Sequence, residues 1–374
     1  MLQSGRAKPQ VLVAASLGPL PHVGGIENVV DTLLESPLKL DFEFSIFDTF
    51  RAGDPERTKF DKGMFAARLA DSVHRALRRR RPDLVHIHFC SKTDFWKHAI
   101  CLVAARLHGV PVVYHLHGGS FDQFYAAHGA IGKKLIRALF ARADSVVALS
   151  TYWQEFLEGL VDPAKIAVIN NPIDCARLAP QVRMPAARRQ PALLLLGSLG
   201  KRKGHYDSIE ALVTVRQKYP EVRLLFAGAE EDPGARERLG QLAADRDVED
   251  GVVFLGPVGF DKKLKLLHES QALILPSYGE NMPISILEAM AAGTPVVGSR
   301  VGAVPETLGN GEVGYLIDAG NVEQLAQAIL QVLDHPEQAD HMAEAAQVRA
   351  RSLWDTSHAV RQVGGLYRRL LNRD

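Results

Sequence analysis

Glu280 and Glu288 stand with seven residues between them in GENMPISILEAMAAGTP (279–295), and the second lies inside a run that is otherwise nearly all apolar. A helix with so little polar surface is normally covered on both sides, and a carboxylate inside it needs partners, which ligand hydroxyls would supply. The plainer reading is a narrow polar stripe of Ser285, Glu288 and Ala292 facing water. Leu275 and Pro276 end a strand, Pro283 suits the first turn of a helix, and Gly293 with Pro295 closes it. The spacing therefore predicts a βαβ crossover with Glu280 just ahead of the helix and Glu288 within it.

Two glycine-rich turns have the composition of phosphate cradles. In SLGPLPHVGGIENVV, Gly18, Gly24 and Gly25 follow a strand-like run and precede a helix start. In GSLGKRKGHYDS (197–208), a strand ends at Gly197, and Lys201, Arg202 and Lys203 lead into HYDSIEALVTV. Backbone N–H groups in such turns, with the positive end of the helix, can approach an anion closely. Three cations beside the second turn suit a diphosphate. A plain tight turn and a solvated basic loop are the competing readings. The first turn is not GxGxxG, which disfavours a dinucleotide cofactor.

Histidines raise the question of a metal. His86 and His88 in one strand-like run, and His115 and His117 in another, are HxH pairs whose members share a face near a strand end. The acidic ligands such a centre needs are not obvious nearby, and strand histidines more often hydrogen-bond locally, so no metal is expected. Asp245-Arg246-Asp247 lies in the polar run AADRDVEDG and reads as a solvated turn.

The elements that must carry these groups are short Val/Leu/Ile runs alternating with helical stretches in both halves. VLVAAS (11–16), LVHIHF (84–89), VPVVYHLH (110–117), SVVALS (145–150) and KIAVIN (165–170) are strand candidates of the first half. LLLLGS (193–198), RLLFAG (223–228), VVFLG (252–256), ALILPS (272–277) and PVVGS (295–299) are those of the second. Strands apolar on both faces, with helices between them, imply parallel sheets covered on both sides. The expected fold is α/β, with doubly wound domains over 1–178 and 190–354 joined through the Pro- and Arg-rich ARLAPQVRMPAARRQPA (176–192). Ligands of such sheets bind beyond the carboxyl ends of the strands, and two facing sheets make a central cleft the natural site.

Composition excludes other classes. The chain has 374 residues, 47% hydrophobic, 23% charged and 7% aromatic, enough for two ordinary globular cores. A formal net charge of +1 gives no overall pull toward nucleic acid or membrane. Three scattered cysteines without a CxxC fit a reducing compartment. The N-terminal apolar run is too short for a secretory segment, and nowhere do roughly 18 consecutive apolar residues occur. A cytoplasmic protein is expected.

GENMPISILEAMAAGTPVVGSRVGAVPE resembles the donor-site signature of the retaining GT-B glycosyltransferases of family 4, whose members carry two glutamates at this spacing. The likeness extends in order through GGIENVV, PDLVHIH, PVVYHLHGG, ADSVVALS, INNPID, GSLGKRKG, VVFLGPV and GYLIDAGNVEQLAQAI. It implies two Rossmann-like domains facing a cleft, the first binding the acceptor and the second the nucleotide-sugar donor. A C-terminal helix over about 355–374 would cross back to the first domain. By the same resemblance Glu288 would hold the ribose hydroxyls and Glu280 a hydroxyl of the donor sugar. Asn281, Met282, Pro283, Ile284 and Ser285, with Lys203, would surround the diphosphate. Val258 would meet the base through the main chain, His117 would reach the sugar near the reacting carbon, and Gly25 would line the phosphate and acceptor side. His117, Lys203 and Glu280 are thus the catalytic expectations. Ser198 stands where many members have arginine, so Arg202 and Lys201 would supply that charge. Pro283, in a variant found in some bacterial polysaccharide transferases, removes one N–H from the phosphate cradle.

The implied reaction moves a hexosyl unit from a UDP- or GDP-sugar to a glycan or lipid-linked acceptor, with retention and without a metal, in bacterial surface polysaccharide synthesis. Two basic stretches bear on the acceptor. One holds Arg75, Arg78, Arg79, Arg80 and Arg81; the other interleaves Lys133, Lys134, Arg137 and Arg142 with Ile131, Leu135, Ile136, Leu139 and Phe140. The second suits peripheral contact with an anionic membrane, or equally a helix packed on its own domain. A sugar-nucleotide epimerase of the same fold, which needs extra acid and base carboxylates, and a noncatalytic nucleotide-sugar-binding protein are the alternative readings.

Overall fold

The computed structural model describes residues 8–18, 25–50, 59–179, 184–185 and 188–372. The chain forms two compact units, Met1–Pro172 with Ser357–Asp374, and Ile173–Thr356.

The first unit runs β1 (Gln10–Ala15), α1 (Gly25–Glu35), β2 (Glu43–Asp48), α2 (Lys59–Arg80), β3 (Leu84–Phe89), α3 (Thr93–Leu107), β4 (Val112–Leu116), α4 (Phe121–Ala126), α5 (Ala130–Phe140), β5 (Ser145–Ala148), α6 (Thr151–Glu158) and β6 (Ile166–Val168). The second runs α7 (Cys175–Leu178), β7 (Gln190–Leu196), α8 (His205–Lys218), β8 (Arg223–Ala227), α9 (Ala235–Asp245), β9 (Val252–Phe254), α10 (Phe260–Glu269), β10 (Ser270–Leu275), α11 (Ile284–Ala292), β11 (Val296–Ser299), α12 (Val304–Thr307), β12 (Tyr315–Ile317), α13 (Val322–Asp334) and α14 (Pro336–Trp354). The last helix, α15 (Thr356–Leu370), belongs with the first unit from Ser357 onward.

Each unit holds one six-stranded parallel sheet, ordered β2-β1-β3-β4-β5-β6 and β12-β11-β10-β7-β8-β9. Every residue of β3 and β4 is buried, as helices on both faces of a sheet require. In both sheets the strand order reverses beside the unit's first strand, between β1 and β3 and between β7 and β10. The carboxyl ends there diverge and leave room for a ligand. Two strands lie outside the runs read from sequence, β2 and β12. Both are sheet edges: β2 mixes polar and apolar residues, and β12 is only three residues long.

The first core gathers Phe89, Phe95, Tyr114, Phe121 and Phe140, with Phe89 and Tyr114 stacked at 3.8 Å between centroids. Burying each such ring contributes about 1.5–3 kcal/mol and anchors the ends of β3 and β4. Phe121, fully buried, packs in this core. In the second unit α11 is buried from Ile286 to Ala292 against α7, α10 and α14, and Gly293 ends it at φ 72. Of the interval 176–192, Arg177 lies on α7 with its guanidinium 3.6 Å from the Phe260 ring centre; residues 180–183 and 186–187 lie outside the described residues. Among the described residues no helix is long and apolar enough to cross a membrane.

Candidate functional site

The loop leaving β7 and the loop leaving β10 meet at the second sheet's reversal point. Lys201–Lys203 form a single helical turn, closed by Gly204 at φ +77. A Cβ on Gly204 would lie 2.1 Å from the Pro276 carbonyl oxygen, so only glycine lets the two loops close together. The Arg202 carbonyl accepts from the Tyr278 N–H at 2.9 Å. His205 sits beneath, its ring nitrogen 3.2 Å from the Gly200 carbonyl and its pKa lowered by burial to about 4. It adds no charge to the loop.

This closure sets Lys203 Nζ 2.6 Å from Glu280 Oε1, the oxygen that also accepts from Ser277 Oγ at 2.7 Å. The lysine side chain is 13% exposed and the carboxylate 7%, so the pair is shielded from water. The loop after β11 seals the other side: a Cβ on Gly302 (φ +53) would stand 1.8 Å from the Glu280 carbonyl oxygen, and the Ala303 N–H donates to the Asn281 carbonyl. Asn281 and Met282 are buried. Pro283 caps α11, and the amides of Ile284 and Ser285 that open this helix have no carbonyl four residues back within it. A cation, two helix-end amides and a held carboxylate thus share the mouth of one parallel sheet.

Glu288 lies one turn further along α11, and it is buried, so the water-facing stripe does not form. Its Oε1 pairs with Lys263 Nζ from α10. Burial pushes the carboxyl pKa up, and the lysine opposes that rise. Among the described residues no other side chain donates to Glu288, which leaves Oε2 open to a ligand. Ser198 is half-buried at the base of the loop after β7, and Val258 is half-buried between β9 and α10. Arg202 turns elsewhere, its Nε 2.8 Å from Glu231 Oε1. Asp245 and Arg246 end α9 and the guanidinium pairs with Glu210, a surface arrangement.

In the first unit Gly25 opens α1 and is exposed, while Gly24 lies outside the described residues. His117 follows β4, its N–H donating to the Phe89 carbonyl at 2.8 Å. Its Nε2 stands 2.9 Å from His88 Nδ1; alongside, His86 Nε2 is 3.2 Å from His115 Nδ1, and His86 Nδ1 is 2.6 Å from the Tyr367 hydroxyl of α15. Strand alternation puts the four rings on one face, and β3–β4 register sets His88 against His115. His86, His88 and His115 bring nitrogens within 4.8 Å of one another. Yet most of these nitrogens are committed to a neighbouring ring or to Tyr367. The two that are not, Nε2 of His88 and of His115, are fully buried. Among the described residues no carboxylate or thiolate joins the group to offset a cation's charge. Burial holds His86 and His117 down to about 3 and lowers His88 and His115 as well, so the ladder is neutral.

Sequence reading passed over Lys263, Ser277 and Tyr367. The lysine-rich run FDKKLKLLHE was the available pointer to the first.

Comparison with known proteins bears on these arrangements. The family described as Glycosyltransferase Family 4 matches residues 23–177, and that described as Glycosyl transferases group 1 matches residues 183–349. A glycogen synthase of Mycobacterium tuberculosis is 32% identical over 322 residues, covering 81% of this chain and 75% of that protein. Among solved structures, sucrose-phosphate synthase from Thermosynechococcus elongatus superposes with a TM-score of 0.80 at 19% identity, over 98% of this chain and 100% of that one. Anabaena HepE in complex with UDP-glucose gives 0.75 at 19% identity, over 96% and 99%.

Proposed function

We propose, the chain belonging to glycosyltransferase family 4, that it moves a hexosyl unit from a UDP- or GDP-sugar to a glycan or lipid-linked acceptor in bacterial surface polysaccharide synthesis, with retention and without a metal. The protein is a glycosyltransferase with two Rossmann-like sheets of GT-B type. The observation that carries the finer reading is the shielded Lys203–Glu280 pair at the reversal of the second sheet, beside the start of α11.

Lys203 and the amides of Ile284 and Ser285 stabilise the departing diphosphate, the position where negative charge develops as the sugar–oxygen bond lengthens. Glu280, fixed by Lys203 and Ser277, binds a sugar hydroxyl, and Glu288 binds the ribose. A leaving-group oxygen takes the acceptor's proton on the same face, which gives retention. Both glutamates are paired with lysines, which argues against their serving as the free acid and base of an epimerase. The metal-free reading is supported by the histidine nitrogens that are bonded to a neighbouring ring or to Tyr367, which leaves few to ligate a cation. Peripheral contact with an anionic membrane is supported by α5, where Ile131 is 88% and Leu135 49% exposed beside Lys133 and Lys134.

Purified protein incubated with a panel of sugar nucleotides and lipid or glycan acceptors tests the reading. Acceptor-dependent release of nucleoside diphosphate, an anomeric proton coupling matching the donor's configuration, and insensitivity to chelators are expected. A new sugar epimer formed without acceptor, or loss of turnover under chelation, would overturn it.

A further inference from the structure

Lys263 carries none of the roles assigned above, yet it makes the one ion pair of Glu288 among the described residues. It is the fourth residue of α10, which packs on α11. Its side chain is 17% exposed and its Nζ lies 5.7 Å from the centre of the Phe260 ring, so the ammonium is itself partly withdrawn from water. Its neighbours Lys262 and Lys265 point outward.

The two glutamates are supported unequally. Glu280 receives Lys203 and Ser277, whereas Glu288, 9% exposed along its side chain, has Lys263 alone. A carboxyl in that position is drawn toward its neutral form by desolvation, and an adjacent cation restores the charge. The protonation state matters for a vicinal diol. An ionised carboxylate accepts from hydroxyls through both oxygens, while the acid surrenders one oxygen to its own proton. We propose that Lys263 is a positioning residue that keeps Glu288 ionised and oriented to accept the ribose hydroxyls of the donor nucleotide. This rests on the donor-site reading of Glu288 and sharpens it, because it assigns nucleotide affinity, and its dependence on pH, to a side chain that need not touch the nucleotide.

Several other charged or titratable groups on the elements packed against α11 face other partners. On α7, Arg177 lies over Phe260 and the Cys175 thiol is raised to about 12 by burial. His268 of α10 faces the Leu178 carbonyl. On α14, Asp340 pairs with Arg189, and Arg349 donates to the Glu306 and Thr307 carbonyls. Among the described residues only Lys263 pairs with the carboxylate.

Titration calorimetry of UDP and GDP across pH 5.5–8.5, with steady-state kinetics, tests the proposal in wild type, Lys263→Met, Lys263→Arg and Glu288→Gln. Without the lysine, the Glu288 pKa rises further. Lys263→Met should therefore bind the preferred nucleotide about 10-fold more weakly at pH 8 and about 100-fold more weakly near pH 6, as one lost charge-assisted contact and one added proton would give. The donor KM should rise in parallel while kcat at saturating donor falls by less than about threefold. Lys263→Arg should recover most of the affinity. If Lys263→Met binds as wild type at every pH, or loses kcat with no pH-dependent change in affinity, the inference is overturned while the weakening in Glu288→Gln upholds the donor site. If Glu288→Gln also binds as wild type, the donor-site reading falls and the inference with it.

Discussion

On β3, on β4 and just after β4 the first unit lines up four imidazoles, each bonded to another ring and none charged; in the loops after β7 and β10 and on α10 and α11 the second unit sets two lysines against two glutamates. The sheets are built alike, parallel, six-stranded and reversing beside their first strand. Their polar side chains meet the cost of burial in opposite ways. Neutral rings satisfy one another at little electrostatic cost but offer no fixed charge to a ligand. A buried ion pair is expensive to assemble, and each partner keeps hydrogen-bonding capacity that a ligand can use. The second arrangement suits an anionic, hydroxylated guest such as a sugar nucleotide. The first suits a rigid wall.

The largest effect should come from acid, which ought to break the neutral ladder before the ion pairs. An imidazole whose pKa is lower in the folded chain stabilises the fold above its unfolded value near 6.5 and loses that contribution as pH falls toward its folded value, about 3 for His86. For the fully buried His86 the loss by pH 3.5 is up to about 4 kcal/mol, at roughly 1.4 kcal/mol per pH unit. His88 and His115 shift in the same direction. Hydrogen exchange read by mass spectrometry should show opening free energies in β3 and β4 falling steeply from pH 6.5 to 4.5, with β7 and β10 changing less. Equal losses in both sheets would contradict the contrast.

Next in size is turnover in Lys203→Ala. Removing one donor to a developing anion typically costs about 100- to 1,000-fold, or about 3–4 kcal/mol. Because Glu280 would also lose its cation, kcat should fall along with kcat/KM in a donor-saturated assay. A loss smaller than about 10-fold would move the diphosphate away from this loop. Gly302→Ala probes the same site through its backbone. With φ +53 and a Cβ only 1.8 Å from the Glu280 carbonyl oxygen, the loop after β11 must shift, at a cost of about 2–3 kcal/mol. Hydrogen exchange across β10 and α11 would register it, with β3 and β4 unchanged.

How much of this was legible in the sequence follows from burial. LVHIHF and LLLL read as strands because both faces of a central parallel strand are covered, whereas at sheet edges EFSIFD mixes polar and apolar residues and YLI is only three residues long. Glu280 and Glu288 stood out because a carboxylate in an apolar run needs a reason to be there. Lys263 did not stand out. It sits among Lys262 and Lys265, and only the phase of α10 against α11 turns one of the three inward. The histidine ladder was half legible: alternation places each HxH pair on one face, but the cross-strand bonds depend on a register that no single strand encodes.

The smallest expected effect separates the cations of the basic loop from one another. By resemblance Arg202 would supply charge to the diphosphate, but here it pairs with Glu231, the two side chains being 41% and 32% exposed. An ion pair that open to solvent is worth about 0–1 kcal/mol. Arg202→Ala should thus leave thermal stability nearly unchanged and raise the donor KM by no more than about fivefold, with kcat held. Lys203 lies on the same turn, yet its 13% exposure and its shared carboxylate make its removal costlier by an order of magnitude or more. Measuring both variants with one donor distinguishes the two cations directly. If Arg202→Ala matches Lys203→Ala in lost turnover, Arg202 must leave Glu231 and swing onto the diphosphate during the reaction. The charge that matters would then be recruited from the surface rather than held in the shielded pair.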